Sequence, residues 1–354
     1  GRSDPEAQAL GRSYDAIQAA VQLFKLHAEH RGRFAFDSGP ELLDAYRKGL
    51  FQFDRVYRDF QTAAAAIRGQ GWNLLKDLGD AVERLYDQGF LQPLGVEWSR
   101  LLDEGFLDVW TDEACPAQSK FYAQVIGPML ARSDRKRAFV IISDAFRYEA
   151  AVELTEKINR QDRREAEVSP MLGVVPSYTS LGMAALLPHE TLGFDDRGEV
   201  LADGRSTAGL AGRNRQLESV GGMACQASEL IQMKVDEARA FIGEAKVVYI
   251  YHNVIDARGD SAATEDETFA AVSDCIAELS DLAKFCINRL SASTVWITAD
   301  HGFLYQSTPP GETDRSVLGM KPEEAFRTKK RYVLGRDLGE TSQAHHGSVA
   351  TTAN

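Results

Sequence analysis

Along residues 131–354, short apolar runs alternate with longer amphipathic stretches, and this alternation restricts the possible folds more than any other feature. The run AFVII at 138–142 is too short for a core helix and rich in β-branched residues, which is typical of a strand buried on both faces. The same reasoning predicts strands at 168–175, 246–252 and 294–299, and helices at 146–160, 180–187 and 267–290. Strands that alternate with helices favour a mostly parallel sheet with helices on both faces, so the predicted class is α/β.

The first 130 residues are predicted to be almost entirely helical. Apolar residues recur three and four positions apart in three segments, at 7–30, 41–69 and 72–90. An aromatic stripe at helical spacing runs from Tyr46 to Phe60 in the second segment. Such a stripe is more typical of a core than of a partner groove, and we interpret it as core.

The chain of 354 residues is long enough for two hydrophobic cores. We therefore predict a helical domain at 1–130 and an α/β domain at 131–354. Within the second domain, the polar and glycine-rich segment 192–222 is predicted to be an insertion or a lid, with a hairpin turn at Asp203-Gly204.

Charge, cysteine usage and hydropathy limit the function classes. Asp and Glu number 52 against 40 Lys and Arg, a net charge of −12, so binding to nucleic acid would have to rest on a local surface. The four cysteines are scattered without a CxxC pair and are predicted to be buried free thiols rather than zinc ligands. No apolar run reaches the roughly 18–20 residues of a membrane span and the first residues lack the apolar core of a signal peptide, so we expect a cytoplasmic protein without membrane partners.

Each predicted strand is followed by side chains that can bind a metal ion or attack an electrophile. In open parallel sheets, ligand sites form in the crevice beyond the carboxyl ends of the strands. In strand order, the candidates are Ser143 and Asp144, then Ser177 and Thr179, then His252, Asp256 and Asp260, and finally Asp300 and His301. A single aspartate after a strand is often only a turn residue or a helix N-cap, but four such coincidences at one sheet edge favour a functional site.

Thr179 has two compatible interpretations. It precedes the predicted helix at 180–187, so its hydroxyl could cap that helix by accepting a backbone N–H bond. A hydroxyl at a helix N-terminus also faces free N–H groups and the positive end of the helix dipole, where an attacked phosphate would be held. The surrounding aspartates favour this second interpretation.

The candidate side chains offer oxygen and nitrogen ligands but no sulfur. Such a set suits hard or borderline divalent ions, and we expect Zn²⁺ or Mn²⁺. Two such ions a few ångströms apart can clamp a phosphoryl group, lower the pKa of a nucleophile and neutralise a leaving oxygen. The sequence therefore predicts an in-line phosphoryl-transfer site with one or two metal ions.

The order of these motifs resembles the alkaline phosphatase superfamily, which includes phosphomutases, nucleotide pyrophosphatases and phosphodiesterases. More closely, four stretches are similar to the type A PglZ family of the BREX phage-defence systems: VIISDAFRYEAA, VPSYTSLGMAALLP, YIYHNVIDARGD and ITADHGFLY. The resemblance covers about residues 135–306, and the stretch GLFQFDRVYRDF extends it into the helical region. It implies an α/β core of the alkaline phosphatase type.

The resemblance also implies a role for each matching residue. The implied metal ligands are Asp144, Thr179, Asp256, Asp260, Asp300 and His301. Thr179 would be the nucleophile and would bind one metal together with Asp144, Asp300 and His301, whereas Asp256 and Asp260 would hold the second ion. In cofactor-independent phosphoglycerate mutases the second of these two is a histidine, so Asp260 departs from that pattern.

For three histidines and one arginine, the sequence leaves more than one role open. A further ligand is expected from a later His-Gly segment, which leaves His345, His346 or a residue outside this chain. His252 is an additional candidate, although a histidine at a strand end is about as often structural. Arg147, one helical turn from Asp144, is a candidate for binding a phosphate oxygen, and the alternative is an ion pair with a nearby glutamate.

Taken together, the resemblance implies a metal-dependent phosphohydrolase or phosphodiesterase of a bacterial BREX antiphage system, with a phosphoester or nucleic acid as substrate. Its expected partners are other BREX subunits, such as the methyltransferase PglX. The main alternative is a non-catalytic scaffold of the defence complex with a vestigial metal site. A phosphomutase or a sulfatase is a third possibility, but a sulfatase needs a modified Cys or Ser where this chain has Thr179.

Overall fold

The computed structural model describes residues 5–30, 33–68, 75–132, 137–161, 165–255, 265–305, 325–329, 331–339, 341 and 343–354. The strands in these residues are β1 Ala138–Ser143, β2 Leu192–Phe194, β3 Val200–Ala202, β4 Arg205–Ser206, β5 Gly222–Gln226, β6 Val247–His252, β7 Thr294–Thr298, β8 Ala325–Thr328 and β9 Val333–Gly335. They form a four-stranded sheet, a three-stranded sheet and a two-stranded sheet.

The four-stranded sheet lies at the centre of the α/β region, with the order β5-β6-β1-β7 and parallel pairing throughout. Along β1, Phe139 and Ile141 point into one hydrophobic core, whereas Val140 and Ile142 point into another. Both faces of the sheet are therefore covered, as the continuous apolar run predicts, and the predicted α/β class is confirmed. The carboxyl ends of β1, β6 and β7 lie at one edge, because their residues pair in parallel register.

The structure corrects the membership of this sheet. Residues 168–175 are not a strand of it, because their one ladder contact is an isolated parallel bridge between Leu172 and Ala117. The fourth strand is β5, which pairs with β6. Its sequence GMACQ has no β-branched residue, and burial against β6 outweighs its weak strand propensity.

The α-helices of the described residues are α1 Pro5–His30, α2 Gly39–Ala45, α3 Phe51–Arg68, α4 Lys76–Tyr86, α5 Gln92–Leu101, α6 Leu107–Val109, α7 Gly127–Ala131, α8 Tyr148–Gln161, α9 Thr179–Ala185, α10 Gly209–Glu218, α11 Ala227–Leu230, α12 Val235–Ile242, α13 Glu265–Arg289 and α14 Val349–Thr352. Single π-helical turns adjoin several of them, at Tyr46–Leu50, Asp87–Leu91, Leu102–Phe106 and Tyr122–Ile126. A short 3₁₀ turn spans Gln118–Lys120.

The predicted aromatic stripe of the helical region is core. Phe53, Tyr57 and Phe60 of α3 are fully buried. Tyr57 stacks on Tyr86 of α4, with 3.8 Å between the ring centroids. This core also includes Tyr305, which follows β7, so the helical region packs directly against the segment beyond the central sheet.

Buried charges join the helical region to the α/β region. The guanidinium of Arg58 in α3 lies 3.0 Å from the carboxylate of Glu149 in α8, and the two side chains are 2% and 0% exposed. The Tyr305 hydroxyl donates a 2.8 Å hydrogen bond to the same carboxylate. These contacts cross the predicted domain boundary at residue 130, which itself stays a prediction.

Segment 192–222, predicted to be an insertion or a lid, contains the antiparallel sheet β2-β3-β4 and helix α10. Asp203 and Gly204 both have positive φ, 51° and 74°, and join β3 to β4 as the predicted hairpin turn. Val200 of β3 packs in one cluster with Leu181 of α9. The small sheet therefore supports the helix that begins at Thr179, and its role as a lid stays a prediction.

The cysteines at 115, 225, 275 and 286 are buried free thiols, as the sequence predicts. Three of them, Cys225, Cys275 and Cys286, lie in the same core on one face of the central sheet. Among the described residues, no helix has both the length and the apolar character needed to cross a bilayer.

Candidate metal centre

Three of the predicted ligands converge at the carboxyl edge of the central sheet. Asp144 directly follows β1, and Asp300 and His301 follow the neighbouring strand β7. Each contributes one ligand atom to a group in which all ligand atoms lie within 4.8 Å of one another. The parallel register of β1 and β7 brings them together, because adjacent parallel strands end side by side.

The imidazole of His301 presents Nε2 to this group. Nδ1 lies 2.9 Å from the carbonyl oxygen of Gly302, which cannot donate, so Nδ1 carries the proton of the bond. In the neutral ring, Nε2 then has a free lone pair. Nε2 lies 3.4 Å from Oδ2 of Asp300 and 3.7 Å from Oδ1 of Asp144, a nitrogen beside two carboxylates.

Asp300 is buried, and one of its two carboxylate oxygens accepts a hydrogen bond from the described residues. Oδ1 accepts a 3.1 Å hydrogen bond from the backbone N–H of Ala145, whereas Oδ2 is buried and receives no hydrogen bond from the described residues. Burial raises the pKa of Asp300, although His301 and neighbouring backbone N–H groups act in the opposite direction. A buried carboxylate oxygen is costly without a partner, so a divalent cation fits this donor set of two carboxylates and an imidazole.

Thr179 approaches the same group from a different segment. Its hydroxyl Oγ1 lies 3.0 Å from Nε2 of His301. Thr179 is the first residue of α9, and the N-cap position belongs to Tyr178. The structure therefore directs the Thr179 hydroxyl to His301, and the interpretation of Thr179 as a helix N-cap is wrong.

Gly182 allows α9 to lie against the end of β7. A Cβ atom at this position would be 2.2 Å from the carbonyl oxygen of Asp300 and 2.8 Å from its carbonyl carbon. Both atoms belong to the backbone, so they cannot rotate away as a side chain would. The missing side chain of Gly182 thus sets how closely the helix that carries Thr179 approaches Asp300.

Arg147 lies 3.8 Å from the carboxylate of Glu149, in line with the alternative of an ion pair with a nearby glutamate, but its shorter contacts are with other groups. Its guanidinium lies 2.7 Å from the carboxylate of Asp54 in α3, and the two side chains are 7% and 3% exposed. It also donates to the carbonyl oxygen of Phe303 and lies over the ring of Tyr305. A role in binding phosphate stays a prediction, and it would require the guanidinium to leave Asp54.

The remaining predicted ligands lie elsewhere or outside the described residues. Asp256 and Asp260 are outside them. His345 contacts the Ser99 hydroxyl and the Asp103 carboxylate of the helical region, both at 2.8 Å. His346 accepts a 3.1 Å hydrogen bond from the backbone N–H of Thr341. Neither histidine takes part in the cluster that the described residues form.

His252 belongs to a buried polar cluster next to the metal-ligand group. Its Nδ1 lies 3.1 Å from the Ser143 hydroxyl, and its Nε2 lies 3.4 Å from the carboxylate of Glu278. Burial lowers the pKa of His252, although Glu278 opposes this shift. In the structure, both ring nitrogens of His252 face side chains other than Asp144, Asp300 and His301.

Two polar residues near the site are not marked by the sequence pattern. Gln118 hydrogen bonds to the carbonyl oxygens of Ala299 and Asp300, and Asp54 pairs with Arg147. The local hint for Asp54 is a charged residue among the aromatic residues of the buried face of α3, where Arg58 is a second one. Gln118 has no such hint, because Ala299 and Asp300 are more than 180 positions away from it.

The chain is similar to known proteins over most of its length. Residues 121–353 match the family model of the BREX system PglZ alkaline phosphatase-like domain. Over 99% of its length the chain is 40% identical to the alkaline phosphatase-like protein BrxZ of Escherichia coli O9:H4 (strain HS). Over 82% it is 37% identical to the alkaline phosphatase-like protein PglZ of Bacillus cereus (strain H3081.97). The aligned parts make up only 41% and 34% of these two relatives.

Proposed function

Because the chain belongs to the PglZ alkaline phosphatase-like family of BREX systems, we propose that it is a metal-dependent phosphoester hydrolase with Thr179 as its nucleophile. The family prediction from the four sequence motifs is confirmed. One observation carries the proposal of hydrolysis: Oγ1 of Thr179 lies 3.0 Å from Nε2 of His301, within the group that also holds Asp144 and Asp300.

In this proposal, different residues bind the metal ion and attack phosphorus. Asp144, Asp300 and Nε2 of His301 would hold a divalent cation, Zn²⁺ or Mn²⁺, and the predicted ligands Asp256 and Asp260 would hold a second. The cation, when bound, lowers the pKa of a neighbouring hydroxyl and offsets charge on the phosphoryl group. Thr179 then loses its hydroxyl proton to solvent and forms a bond from Oγ1 to phosphorus, while the bond from phosphorus to the leaving oxygen breaks and that oxygen takes up a proton from solvent. Water cleaves the phosphothreonine and restores the hydroxyl.

The buried surroundings support this division. Asp300 has little solvent contact, with 2% of its surface exposed, and Oδ1 is held in place by the backbone of Ala145. The Gly302 carbonyl fixes the tautomer and the orientation of His301. A site held in this way needs little rearrangement during reaction, which is the main requirement for electrostatic catalysis.

The substrate class follows from charge as well as from the site. A net charge of −12 gives no general attraction for nucleic acid, so small phosphodiesters are better first substrates than DNA. Other BREX subunits, among them the methyltransferase PglX, are proposed partners, and a cytoplasmic location stays a prediction. The competing function is a non-catalytic scaffold, which Asp260 favours because it departs from the histidine of related phosphomutases.

The test is metal content and hydrolysis of a chromogenic phosphodiester and monoester by the purified chain. Asp300→Asn keeps the size of the side chain but removes its charge, so it should abolish both metal uptake and hydrolysis. Asp236→Asn is the matched control, because the side chain of Asp236 is 98% exposed. Metal uptake without hydrolysis of either ester by the parent would favour the scaffold.

A further inference from the structure

Gln118 is a buried glutamine in the segment that joins the helical region to the α/β region. It is only 3% exposed, and it lies just before the part of the chain that matches the family model, residues 121–353. Its amide group can donate two hydrogen bonds and accept two. The described contacts use both functions and connect two segments that each lead to the metal centre.

The donor half of the amide holds the end of β7. Nε2 of Gln118 donates to the carbonyl oxygen of Ala299 at 2.9 Å and to that of Asp300 at 2.8 Å. Strand β7 ends at Thr298, so these two carbonyls lie beyond its ladder with β1. Beyond the end of the ladder, Gln118 thus donates the hydrogen bonds that a neighbouring strand would otherwise donate. It does so at the residues that bring Asp300 and His301 into position.

The other half holds the segment that leads to Thr179. Oε1 of Gln118 accepts a 3.2 Å hydrogen bond from the backbone N–H of Val174. The backbone N–H of Gln118 donates a 2.8 Å bond to the carbonyl of Leu172. This pairing leaves four residues between Val174 and Thr179.

From this arrangement we propose that Gln118 is a positioning residue of the metal centre, which holds the Thr179 segment and the Asp300–His301 segment at a fixed separation. The inference rests on the proposed function, because it concerns the same site. The hydrogen bonds that the Gln118 side chain makes to the described residues all go to backbone groups, so it acts through the geometry of Thr179, Asp300 and His301. A misplacement of about 1 Å in such a site can lower the rate by about 100-fold.

Two substitutions separate the halves of the amide. Gln118→Glu keeps the size and an acceptor for Val174 but places an oxygen against the two carbonyls of β7. Gln118→Met keeps the length and removes every side-chain hydrogen bond. Gln22→Glu on the exposed surface of α1 is the matched control. If these buried variants do not fold, Gln118→Asn keeps the amide but is one methylene too short to connect both segments.

Zn²⁺ and Mn²⁺ affinity is measured by calorimetry on the whole chain at a temperature at which circular dichroism shows every variant to be folded. We expect the Gln118 variants to bind metal about 10- to 100-fold more weakly, as is typical of residues that orient ligands. With saturating metal, kcat for a chromogenic phosphodiester should fall while KM changes little. A purely structural role would lower the thermal midpoint without changing either quantity.

The outcomes separate this inference from the proposed hydrolysis. Folded Gln118 variants with the metal affinity and kcat of the parent would overturn the inference and leave the hydrolase intact. Weaker metal binding in the Gln118 variants, with no hydrolysis by any protein including the parent, would support the inference and overturn the hydrolase. A parent that takes up neither ion would overturn both.

Discussion

Oγ1 of Thr179 lies 3.0 Å from Nε2 of His301, although 122 positions separate the two residues in the chain. One residue begins α9 and the other follows β7, and the contact exists because Gly182 lets the helix lie against the carbonyl of Asp300. The proposed nucleophile and the proposed metal ligands are therefore held by a close contact between a helix and a strand end.

Thr179→Ala should leave metal uptake nearly unchanged, because Asp144, Asp300 and His301 remain. It should lower phosphoester hydrolysis by several orders of magnitude, as loss of a covalent nucleophile does. Thr179→Ser should keep part of the activity, since the attacking oxygen is retained. Steady-state rates with metal content measured on the same samples check this expectation. If Thr179→Ala hydrolysed the ester at the parent rate, the nucleophile would have to be a different group.

Gly182→Ala should disrupt the site, because its Cβ would meet backbone atoms of Asp300 at 2.2 and 2.8 Å. The helix must move away, and we expect a loss of about 1–3 kcal/mol in the free energy of unfolding together with weaker metal binding. Gly79→Ala is the matched control within helix α4, where nothing lies within 4 Å of the new methyl group. It should stabilise the chain by about 0.4–1 kcal/mol. Urea unfolding measures both, and equal effects of the two substitutions would contradict the close contact.

Glu149→Gln should destabilise the chain strongly, because it leaves Arg58 buried beside a neutral side chain. Breaking a buried ion pair from one side costs about 3–5 kcal/mol, and we expect the lower end because Arg58 also contacts Glu153. Asp15→Asn is the control, since its pair with Arg12 is exposed and contributes about 0–1 kcal/mol. Denaturant unfolding of both variants measures these losses. If Glu149→Gln left the free energy of unfolding unchanged, the ion pair would not hold the two regions together.

Glu97 should contribute to unfolding at low pH. A hydrogen bond from Arg100, with a second from the backbone N–H of Phe36, lowers the pKa of Glu97 from its ordinary 4.5 to about 2. The folded state therefore gains stability above pH 4.5, and this gain is lost as the pH falls from 4.5 towards 2. Glu97→Gln should flatten the dependence of the unfolding free energy on pH in this window. Glu29→Gln on the exposed surface of α1 should leave this pH dependence unchanged. If Glu97→Gln also left it unchanged, Glu97 would not contribute to unfolding at low pH.

Local patterns predict much of this fold. The apolar runs predict β1, β6 and β7, because buried strands of a parallel sheet need side chains that are apolar on both faces. The helices α3, α8 and α13 are likewise predicted from a local pattern, the recurrence of apolar residues three and four positions apart. The two errors have the same origin: GMACQ has weak strand propensity yet pairs with β6, and 168–175 contains three valines yet lies outside the sheet. Strand pairing depends on a partner elsewhere in the chain, which no local pattern contains.

For the site, the sequence by itself determined which reactive side chains are candidates: Asp144, Thr179, Asp300 and His301 each follow or adjoin the end of a predicted element. Only the tertiary structure decided which groups meet and how they are held. It turned Arg147 towards Asp54, docked His345 against Ser99, and placed Gln118 between two segments of the candidate metal centre. Residue type and periodicity are properties of neighbours in sequence. A hydrogen bond between residues 181 positions apart depends on the packing of the whole chain, and packing is decided only when the chain has folded.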